Sequence, residues 1–170
     1  MLLVIGLGGN VGDVPRAFAA AAAGLARELR VLARSALWRT TPLGPEQPDY
    51  CNAALLVESE VHPRAVLALT QRLEAAAGRD SAHAERWGPR PLDLDLLLAP
   101  GIVIESPALT LPHPRLAERR FALAPAAEVA PDWLHPRRHR TLAELAALPA
   151  LLAQRCQREA RADPWCRLQP

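Results

Sequence analysis

The sequence contains no lysine, because all twenty of its basic residues are arginines, set against eighteen acidic residues. This absence excludes a lysine that forms a Schiff base with a substrate, and it excludes the lysine-containing P-loop of nucleotide-binding proteins. Any phosphate chemistry would have to use arginine side chains, backbone amides, histidine and metal ions. The net charge of +2 is too small to call for a nucleic-acid partner.

Cysteines and long apolar runs are also scarce. Cys51, Cys156 and Cys166 are an odd number without the spacing of a metal site, and we interpret them as free thiols. The apolar runs are too short to cross a membrane, and no basic segment precedes the first one as in a secretory signal. With 170 residues, half of them hydrophobic, the chain is expected to be a soluble, cytoplasmic protein without a membrane partner.

The order of the predicted elements favours an α+β fold. Apolar runs and turn signals predict strands at 2–7, 31–40, 51–59 and 92–98, and helices at 13–30 and 62–78. This order, strand-helix-strand-strand-helix-strand, predicts a ferredoxin-like antiparallel sheet backed by helices. After residue 100 we expect short strands and helical turns, with a helix at 141–148. The expected organisation is one domain over residues 1–148, followed by a tail, 149–170, of unknown role.

Two aspartates alternate with leucines in the last predicted strand of this core. Side chains two apart on a strand share a face, so Asp93 and Asp95 are expected to point together away from the core. Neighbouring carboxylates repel each other, and a bound divalent cation such as Mg²⁺ would explain why both are tolerated. An ordinary half-exposed strand explains the alternation equally well. Trp87 and Arg90, just upstream, add an aromatic ring and an anion-binding group, which favours a nucleotide site.

Three further segments contain candidate ligand contacts. The glycine-rich segment 6–13 lacks the spacing of a dinucleotide-binding loop, and we interpret it as a tight turn. In the proline-rich segment 38–52, Tyr50 and Asn52 could hold a flat heterocycle, although taken alone a structural loop is the simpler interpretation. Segment 111–121 gathers one histidine and three arginines, which suits a polyphosphate but is also typical of a solvated helical turn.

Together these segments resemble 6-hydroxymethyl-7,8-dihydropterin pyrophosphokinases from about Leu3 to about Leu148. The resemblance rests on three runs in the family's order: Pro42-Leu43-Gly44-Pro45 continuing to Gln47-Pro48-Asp49-Tyr50-Cys51-Asn52-Ala53, Arg86-Trp87-Gly88-Pro89-Arg90-Pro91-Leu92-Asp93-Leu94-Asp95, and Pro112-His113-Pro114-Arg115 continuing to Glu118-Arg119-Arg120-Phe121. Such enzymes transfer the pyrophosphoryl group of ATP to the hydroxymethyl group of the pterin and release AMP, a step in folate biosynthesis. The resemblance therefore implies an enzyme of this kind.

The resemblance also implies the site residues. Asp93 and Asp95 would hold two Mg²⁺ ions that bridge the phosphates of ATP, and together with Arg90 they would form the catalytic centre. The implied nucleotide contacts are Gln71, Glu74, Trp87, Arg90, Leu96, Thr110, His113 and Arg119. The implied pterin contacts are Thr40, Leu43, Tyr50, Asn52 and Phe121. The expected partners are ATP and 6-hydroxymethyl-7,8-dihydropterin, with no nucleic acid, and the enzyme is expected to be a monomer.

The sequence departs from the family pattern in three places. Gly9 replaces the usual serine, which we interpret as harmless, and Thr41 replaces a proline, which is expected to loosen one wall of the pterin pocket. The loop after the second predicted helix lacks an arginine that reaches ATP in relatives, and Arg79 or His83 could take its place. This polar loop, residues 79–91, is expected to act as a lid that ATP orders.

Two other functions are compatible with parts of the pattern. Another Mg²⁺-dependent nucleotidyl or phosphoryl transferase could use the same aspartates but would lack the combination of Tyr50, Asn52 and Phe121. A non-enzymatic, ferredoxin-like RNA-binding domain would need exposed aromatic residues and a basic stripe on its sheet. The strand with Asp93 and Asp95 is acidic, which disfavours RNA binding.

Overall fold

The computed structural model describes residues 1–42, 46–78, 88–159 and 165, and a six-stranded sheet with helices on both faces dominates them. The strands are β1 (Leu2–Gly9), β2 (Arg30–Arg34), β3 (Trp38–Thr40), β4 (Tyr50–Glu58), β5 (Asp93–Leu98), β6 (Ile104–Glu105), β7 (Thr110–Leu111), β8 (Leu134–His135), β9 (Arg140–Thr141) and β10 (Cys156–Arg158). The helices are α1 (Val14–Leu25), α2 (Pro63–Ala76), α3 (Arg120–Val129), α4 (Leu142–Ala146) and α5 (Pro149–Leu152), with a 3₁₀ turn at Leu116–Glu118.

The main sheet has the order β10-β3-β4-β1-β5, and β2 also pairs with β4. All of its pairings are antiparallel. In this register Gly8 of β1 lies between Asn52 of β4 and Asp93 of β5. Two separate hairpins, β6–β7 and β8–β9, lie in the second half of the chain. Three strands thus bring distant parts of the sequence side by side at one end of the sheet.

The two faces of the sheet contribute to two hydrophobic clusters. On one face, Leu3, Ile5 and Leu94 pack with residues of α1 and α2. On the other face, residues such as Val4 and Leu97 pack with α3 and α4. Because both faces carry helices, the sheet does not offer the open surface on which a ferredoxin-like RNA-binding domain stacks bases.

Local signals explain where the first two helices begin. The Asp13 carboxylate accepts a hydrogen bond from the Arg16 amide (3.1 Å) at the start of α1. The His62 ring nitrogen Nδ1 accepts one from the Arg64 amide (3.2 Å) at the start of α2. Gly78, which follows α2, has a φ of +90°, a conformation that favours glycine. The second predicted helix is confirmed in position. The first begins where it was predicted but ends at Leu25, short of the predicted end at residue 30, because Arg30 begins β2 and pairs with Glu58 of β4.

The second predicted strand, residues 31–40, is in fact two strands, β2 and β3. The strand is interrupted at Ser35 and Ala36, where side chains form hydrogen bonds with backbone amides in place of a continuous ladder. The Ser35 hydroxyl accepts a hydrogen bond from the Ala54 amide (2.8 Å), and the Glu128 carboxylate accepts one from the Ala36 amide (2.7 Å). These interactions come from residues far along the chain, so the local pattern could not reveal the break.

Two described features near the C-terminus, β10 and Trp165, pack against the rest of the fold. β10 pairs with β3 and becomes the outermost strand on that side. Trp165 is completely buried; its ring packs edge-on against Phe18 (5.8 Å between centroids), and its indole N–H donates to the Ser35 carbonyl (2.9 Å). Across the described ranges, none of the helices combines the length and apolar character needed to cross a membrane.

Candidate active site

A cavity of about 610 Å³ is lined by residues of β1, β4 and β5 and by the first residues of α3. Its floor includes Gly6 and Gly8 of β1, whose lack of side chains leaves space above the strand. A Cβ atom at Gly8 would lie 3.6 Å from the Asn52 side-chain oxygen and 3.8 Å from the Cβ of Asp93. The polar and aromatic side chains that line the walls are Thr40, Thr41, Tyr50, Asn52, Arg90, Asp93, Asp95, His113, Arg115, Arg119 and Phe121.

Two carboxylates project into this cavity from β5. Asp93 and Asp95 are partly exposed, whereas Leu94 between them is buried in the core on the opposite face. The predicted alternation is therefore confirmed. The Arg90 guanidinium lies 3.3 Å from the Asp93 carboxylate, which partly balances its charge. Within the described residues, no group of three or more histidine, cysteine, aspartate or glutamate side chains is placed to hold a metal ion.

A second cavity of about 230 Å³ adjoins the first. Asp95, His113 and Pro114 line both cavities. The smaller cavity is also lined by apolar residues of α2 and β5, and by the segment that leads into β7: Leu67, Leu94, Leu96, Pro107, Ala108, Leu109 and Thr110. The two spaces meet at a carboxylate and an imidazole, an arrangement suited to two ligands that react at their junction.

His113 is held in a defined orientation. Its Nδ1 accepts a hydrogen bond from the Arg115 amide (3.2 Å), so the neutral ring carries its proton on Nε2. Burial, followed by the positive charges of Arg119 and Arg115, lowers the pKa of His113, while Asp93 opposes the shift. A neutral His113 can therefore donate a hydrogen bond to an anionic ligand.

The same turn occurs three times in the chain, at each His-Pro-Arg sequence. The Nδ1 atoms of His62, His113 and His135 each accept a hydrogen bond from the amide of the arginine two residues later. The imidazole thus acts as the side chain of aspartate or asparagine does in an Asx turn. His135 is buried, and burial and nearby arginines lower its pKa. The copy at His113 is the one that faces the cavities.

Arg119 and Phe121 form another wall. The Arg119 guanidinium lies over the Phe121 ring, 5.4 Å from its centroid. Burial, followed by the charge of Arg115, lowers the pKa of Arg119, whereas Asp95 and Asp93 raise it. The arginine thus lies in the electrostatic field of both carboxylates, next to an aromatic face.

Asn52 presents a defined hydrogen-bonding edge to the larger cavity. Its amide nitrogen donates to the Thr40 hydroxyl (3.0 Å) and to the Trp38 carbonyl (3.4 Å). Because a carbonyl can only accept, the Asn52 nitrogen must face Trp38, and its oxygen is turned toward the position above Gly8. Asn52 therefore offers an acceptor to a ligand that carries an N–H or amino group.

Asn10 was not predicted from the sequence, and it joins the loops around the cavity. Its amide nitrogen donates to the Gln47 side chain (2.9 Å) and to the Pro48 carbonyl (3.0 Å). Its oxygen accepts from the Arg90 amide (2.9 Å). Tyr50 adds a link, since its hydroxyl donates to the Gly88 carbonyl (3.0 Å). Segment 6–13, which contains Asn10, predicts only a tight turn, and nothing in its pattern indicates these partners.

Most of the predicted site residues that the structure describes lie at the two cavities. The larger one is lined by Thr40, Tyr50, Asn52, Arg90, Asp93, Asp95, His113, Arg119 and Phe121, and the smaller one by Leu96, Thr110, Asp95 and His113. Arg115, Gly6 and Gly8 line the larger cavity and were not among the predicted contacts. The available signal for Arg115 is its place among the three arginines of segment 111–121.

Two predicted nucleotide contacts on α2 lie differently from the rest. Gln71 is exposed, whereas Glu74 is buried and accepts a hydrogen bond from the Leu94 amide of β5 (2.7 Å). Neither belongs to the described lining of the two cavities. Leu43 and Trp87 lie outside the described residues, as do Arg79, His83 and most of the predicted lid.

An antiparallel sheet that carries paired aspartates, arginines and aromatic side chains around a bipartite cavity defines a site of the phosphate-transfer class. The chain matches the family model described as 7,8-dihydro-6-hydroxymethylpterin-pyrophosphokinase over residues 4–131, and it belongs to this family.

Curated relatives support this assignment. The chain is 40% identical over 144 residues to the 2-amino-4-hydroxy-6-hydroxymethyldihydropteridine pyrophosphokinase of Synechocystis, covering 84% of this chain and 73% of the relative. It is 42% identical over 131 residues to the protein of the same name from Methylorubrum extorquens, covering 75% and 82%.

Solved structures show the same mixed α/β fold with an antiparallel sheet. A Plasmodium falciparum HPPK-DHPS triple mutant with SDX-DHP superposes with a TM-score of 0.67 at 13% identity. The match covers 85% of this chain but only 43% of the longer Plasmodium chain. At this identity the likeness supports the fold alone.

Proposed function

We propose that the two joined cavities are the active site of a 6-hydroxymethyl-7,8-dihydropterin pyrophosphokinase, an ATP-dependent enzyme of folate biosynthesis. The reaction transfers the pyrophosphoryl group of ATP to the pterin hydroxymethyl group and gives AMP and the pterin pyrophosphate. The observation that carries the proposal is the position of Asp95 and His113 at the junction of the cavities. A space with two aromatic rings lies on one side of this junction, and a smaller space lined mostly by apolar residue types lies on the other, which suits two substrates.

The larger cavity suits the pterin. Tyr50 and Phe121 offer two aromatic faces to a flat bicyclic ring, and an offset pair contributes about 1 kcal/mol beyond area burial. The outward-facing oxygen of Asn52 can accept from the exocyclic amine or a ring N–H, while Thr40 holds the Asn52 amide in place. A ligand without these donors would leave the buried oxygen of Asn52 unpaired, which gives the site selectivity. Leu43 is proposed as a further pterin contact.

The smaller cavity suits the nucleotide base. Leu96 and Thr110 line it, and Gln71 is proposed to reach the nucleotide from the exposed surface of α2. Glu74 holds β5 through the Leu94 amide, so its proposed contribution to nucleotide binding includes positioning that strand. Trp87 is proposed as a further nucleotide contact.

Asp93 and Asp95 are the residues that would hold Mg²⁺. Two carboxylates, with no third acidic, histidine or cysteine ligand beside them among the residues that the structure describes, fit this ion, which commonly takes one or two carboxylates and completes its shell with phosphate oxygens and water. We propose two ions, which when bound would neutralise negative charge on the phosphates. The geometry fits this donor set, because both side chains line the cavity from one face of the strand.

The other polar residues bind and orient the phosphates. His113 donates through Nε2, and Arg90 and Arg119 place positive charge beside the two carboxylates. Bound in this way, ATP would present its β-phosphorus to the pterin hydroxyl, with AMP leaving on the opposite side. Positioning and charge stabilisation supply the rate enhancement in phosphoryl transfer, and no described side chain needs to be assigned as a general base.

We further propose the finer organisation of the molecule. The order β5-β1-β4-β3, with α1 and α2 on one face, supports a ferredoxin-like core. Residues 1–148 are proposed as the catalytic domain, acting as a cytoplasmic monomer, with 149–170 as an added segment.

The products of one reaction test the function. The protein is mixed with ATP, Mg²⁺ and 6-hydroxymethyl-7,8-dihydropterin, and nucleotides are separated by anion-exchange chromatography. We expect AMP and the pterin pyrophosphate in equal amounts. ADP would instead indicate a phosphoryl transferase, and release of inorganic pyrophosphate would indicate a nucleotidyl transferase. Either product would replace the proposed reaction.

A further inference from the structure

Residues 152–158, here called the strap, contact two walls of the larger cavity. We propose that the strap holds these walls at the spacing that the ligands need, and that Gln154 is its positioning residue. The inference rests on the proposed function, because the walls carry side chains assigned there to pterin and nucleotide. It assigns a role to a segment whose sequence carries no recognisable motif.

On the α3 side, Gln154 contacts the backbone before and after Arg119. Its side-chain oxygen accepts a hydrogen bond from the Arg120 amide (2.9 Å), and its side-chain nitrogen donates to the Glu118 carbonyl (2.8 Å). The helix has no side-chain cap from its own N-cap residue, Arg119. Gln154 thus satisfies one of the N–H groups that every helix leaves without an internal partner. It holds the backbone from which Arg119 and Phe121 project into the cavity.

Two residues later the strap reaches the opposite wall. Cys156 of β10 pairs with Thr40 of β3, and the Thr40 hydroxyl accepts the hydrogen bond from Asn52. β3 has only three residues, and a strand of this length gains stability when it is paired on both sides. Burial raises the pKa of the Cys156 thiol to about 11, as expected for a residue packed into the structure.

A carboxylate of α3 closes the connection. Glu128 forms an ion pair with Arg158 of the strap, and it also accepts the hydrogen bond from the Ala36 amide that leads into β3. At the beginning of the strap, the Arg120 guanidinium donates a hydrogen bond to the Leu152 carbonyl (2.7 Å). The strap therefore has contacts with α3 at both of its ends and pairs with β3 between them.

Three variants test the role of Gln154. Gln154→Ala removes both hydrogen bonds, whereas Gln154→Glu keeps an acceptor for the Arg120 amide but loses the donor to Glu118. Gln157→Ala is the matched control, because Gln157 is exposed on β10 and its side chain makes no hydrogen bond within the described part of the chain. Each full-length variant is compared with the wild type by kinetics, thermal unfolding and hydrogen exchange.

We expect Gln154→Ala to raise the KM for the pterin about five- to tenfold, with a smaller rise for ATP. kcat should fall by less than twofold, because saturating ligands draw the wall back into its ordered position. Hydrogen exchange in the peptide 118–123 should be at least about fivefold faster, while exchange in α1 stays unchanged. Gln154→Glu should give intermediate values, and Gln157→Ala should match the wild type.

A merely structural role would lower the melting temperature of Gln154→Ala without changing either KM below the transition, and that result would overturn the inference. An equal effect of Gln157→Ala would overturn it as well. If the wild type formed no AMP, the proposed function would fail, but hydrogen exchange would still decide whether Gln154 orders residues 118–123. Unchanged hydrogen exchange of residues 118–123 in Gln154→Ala would refute the proposed role of the strap.

Discussion

At the scale of single residues, the proposed metal site depends on the two carboxylates that β5 holds on one face. Asp93→Ala or Asp95→Ala should lower kcat by about a hundredfold or more, because each change removes an oxygen ligand for a cation that offsets phosphate charge, and each tenfold in rate corresponds to about 1.4 kcal/mol. The fold should persist, since both side chains face the cavity. Asp132→Ala, at an exposed turn, is the control for steady-state kinetics and circular dichroism. Activity like that of the wild type in either variant would contradict the metal assignment.

Two adjacent glycines of β1 should respond differently to the same substitution. At Gly8 an added Cβ meets only ordinary contacts, so Gly8→Ala should fold normally but place a methyl group on the cavity floor between Asn52 and Asp93. At Gly9 the Cβ would lie 2.6 Å from the Pro91 carbonyl oxygen, which leaves no room unless that backbone moves. In this chain the Pro91 backbone lies close against Gly9, so restoring the serine that is usual in the family would require that backbone to move.

We expect Gly8→Ala to weaken pterin binding about tenfold with little change in the urea midpoint. Gly9→Ala should lower the free energy of unfolding by about 1–3 kcal/mol, the usual cost of overpacking. Isothermal titration and urea unfolding of both variants check the contrast. Unchanged pterin affinity in Gly8→Ala would show that the space above Gly8 is not a pterin site, and the same loss of stability in both variants would contradict the difference in packing.

At the scale of elements, Asn10 links the turn after β1 to two loops that border the cavity. Asn10→Ala should lower the free energy of unfolding by about 1–3 kcal/mol, because the Arg90 amide and the Pro48 carbonyl lose their shared partner. Both KM values should also rise. Asn10→Asp keeps the acceptor for Arg90 and should fall between the wild type and Asn10→Ala in urea unfolding. Equal stability of all three proteins would mean that the loops are held by other contacts.

The elements also differ in how far the sequence could predict them. β1, β4, β5, α1 and α2 have clear apolar periods and start signals, and, apart from the C-terminal end of α1, they lie where the patterns placed them. α3 was missed because Pro125 lies inside it, and proline is a general signal of helix termination. β10 forms because Cys156–Arg158 pairs with the edge strand β3. A run of three residues carries no pattern from which this distant pairing could be predicted.

The site, like the fold, could be predicted from the sequence only in part. Alternation on a strand has only two outcomes, so Asp93 and Asp95 could be placed on one face from sequence alone. A spacing of three on a helix does not reveal which neighbour each side chain meets, and Glu74 points to β5 while Gln71 is exposed. Asn10 joins loops that lie 38 and 80 residues away in sequence, so only the folded chain shows its partners.

At the scale of the whole molecule, two histidines, the buried His135 and the half-buried His113, make stability depend on pH. The pKa values of His113 and His135 are lowered in the folded protein, mainly by burial. Between each lowered value and the usual value near 6.5, the unfolded chain binds a proton that the folded chain does not. The free energy of unfolding therefore rises with pH through this window and falls as the pH drops below about 6.5. Each histidine contributes at most about 1.4 kcal/mol per pH unit.

Replacing these histidines by asparagine should remove this dependence while keeping their turns, because the asparagine oxygen can accept the bond that Nδ1 accepts from the arginine amide. We expect the double variant, His113→Asn with His135→Asn, to lose less stability than the wild type between pH 7.5 and 5.5, a range above the titration of ordinary carboxylates. Urea unfolding at half-unit pH steps measures the slopes. His62→Asn makes the same exchange in the exposed copy of the turn and controls for the substitution itself. A double variant with the slope of the wild type would show that burial of these two rings does not govern the acid response.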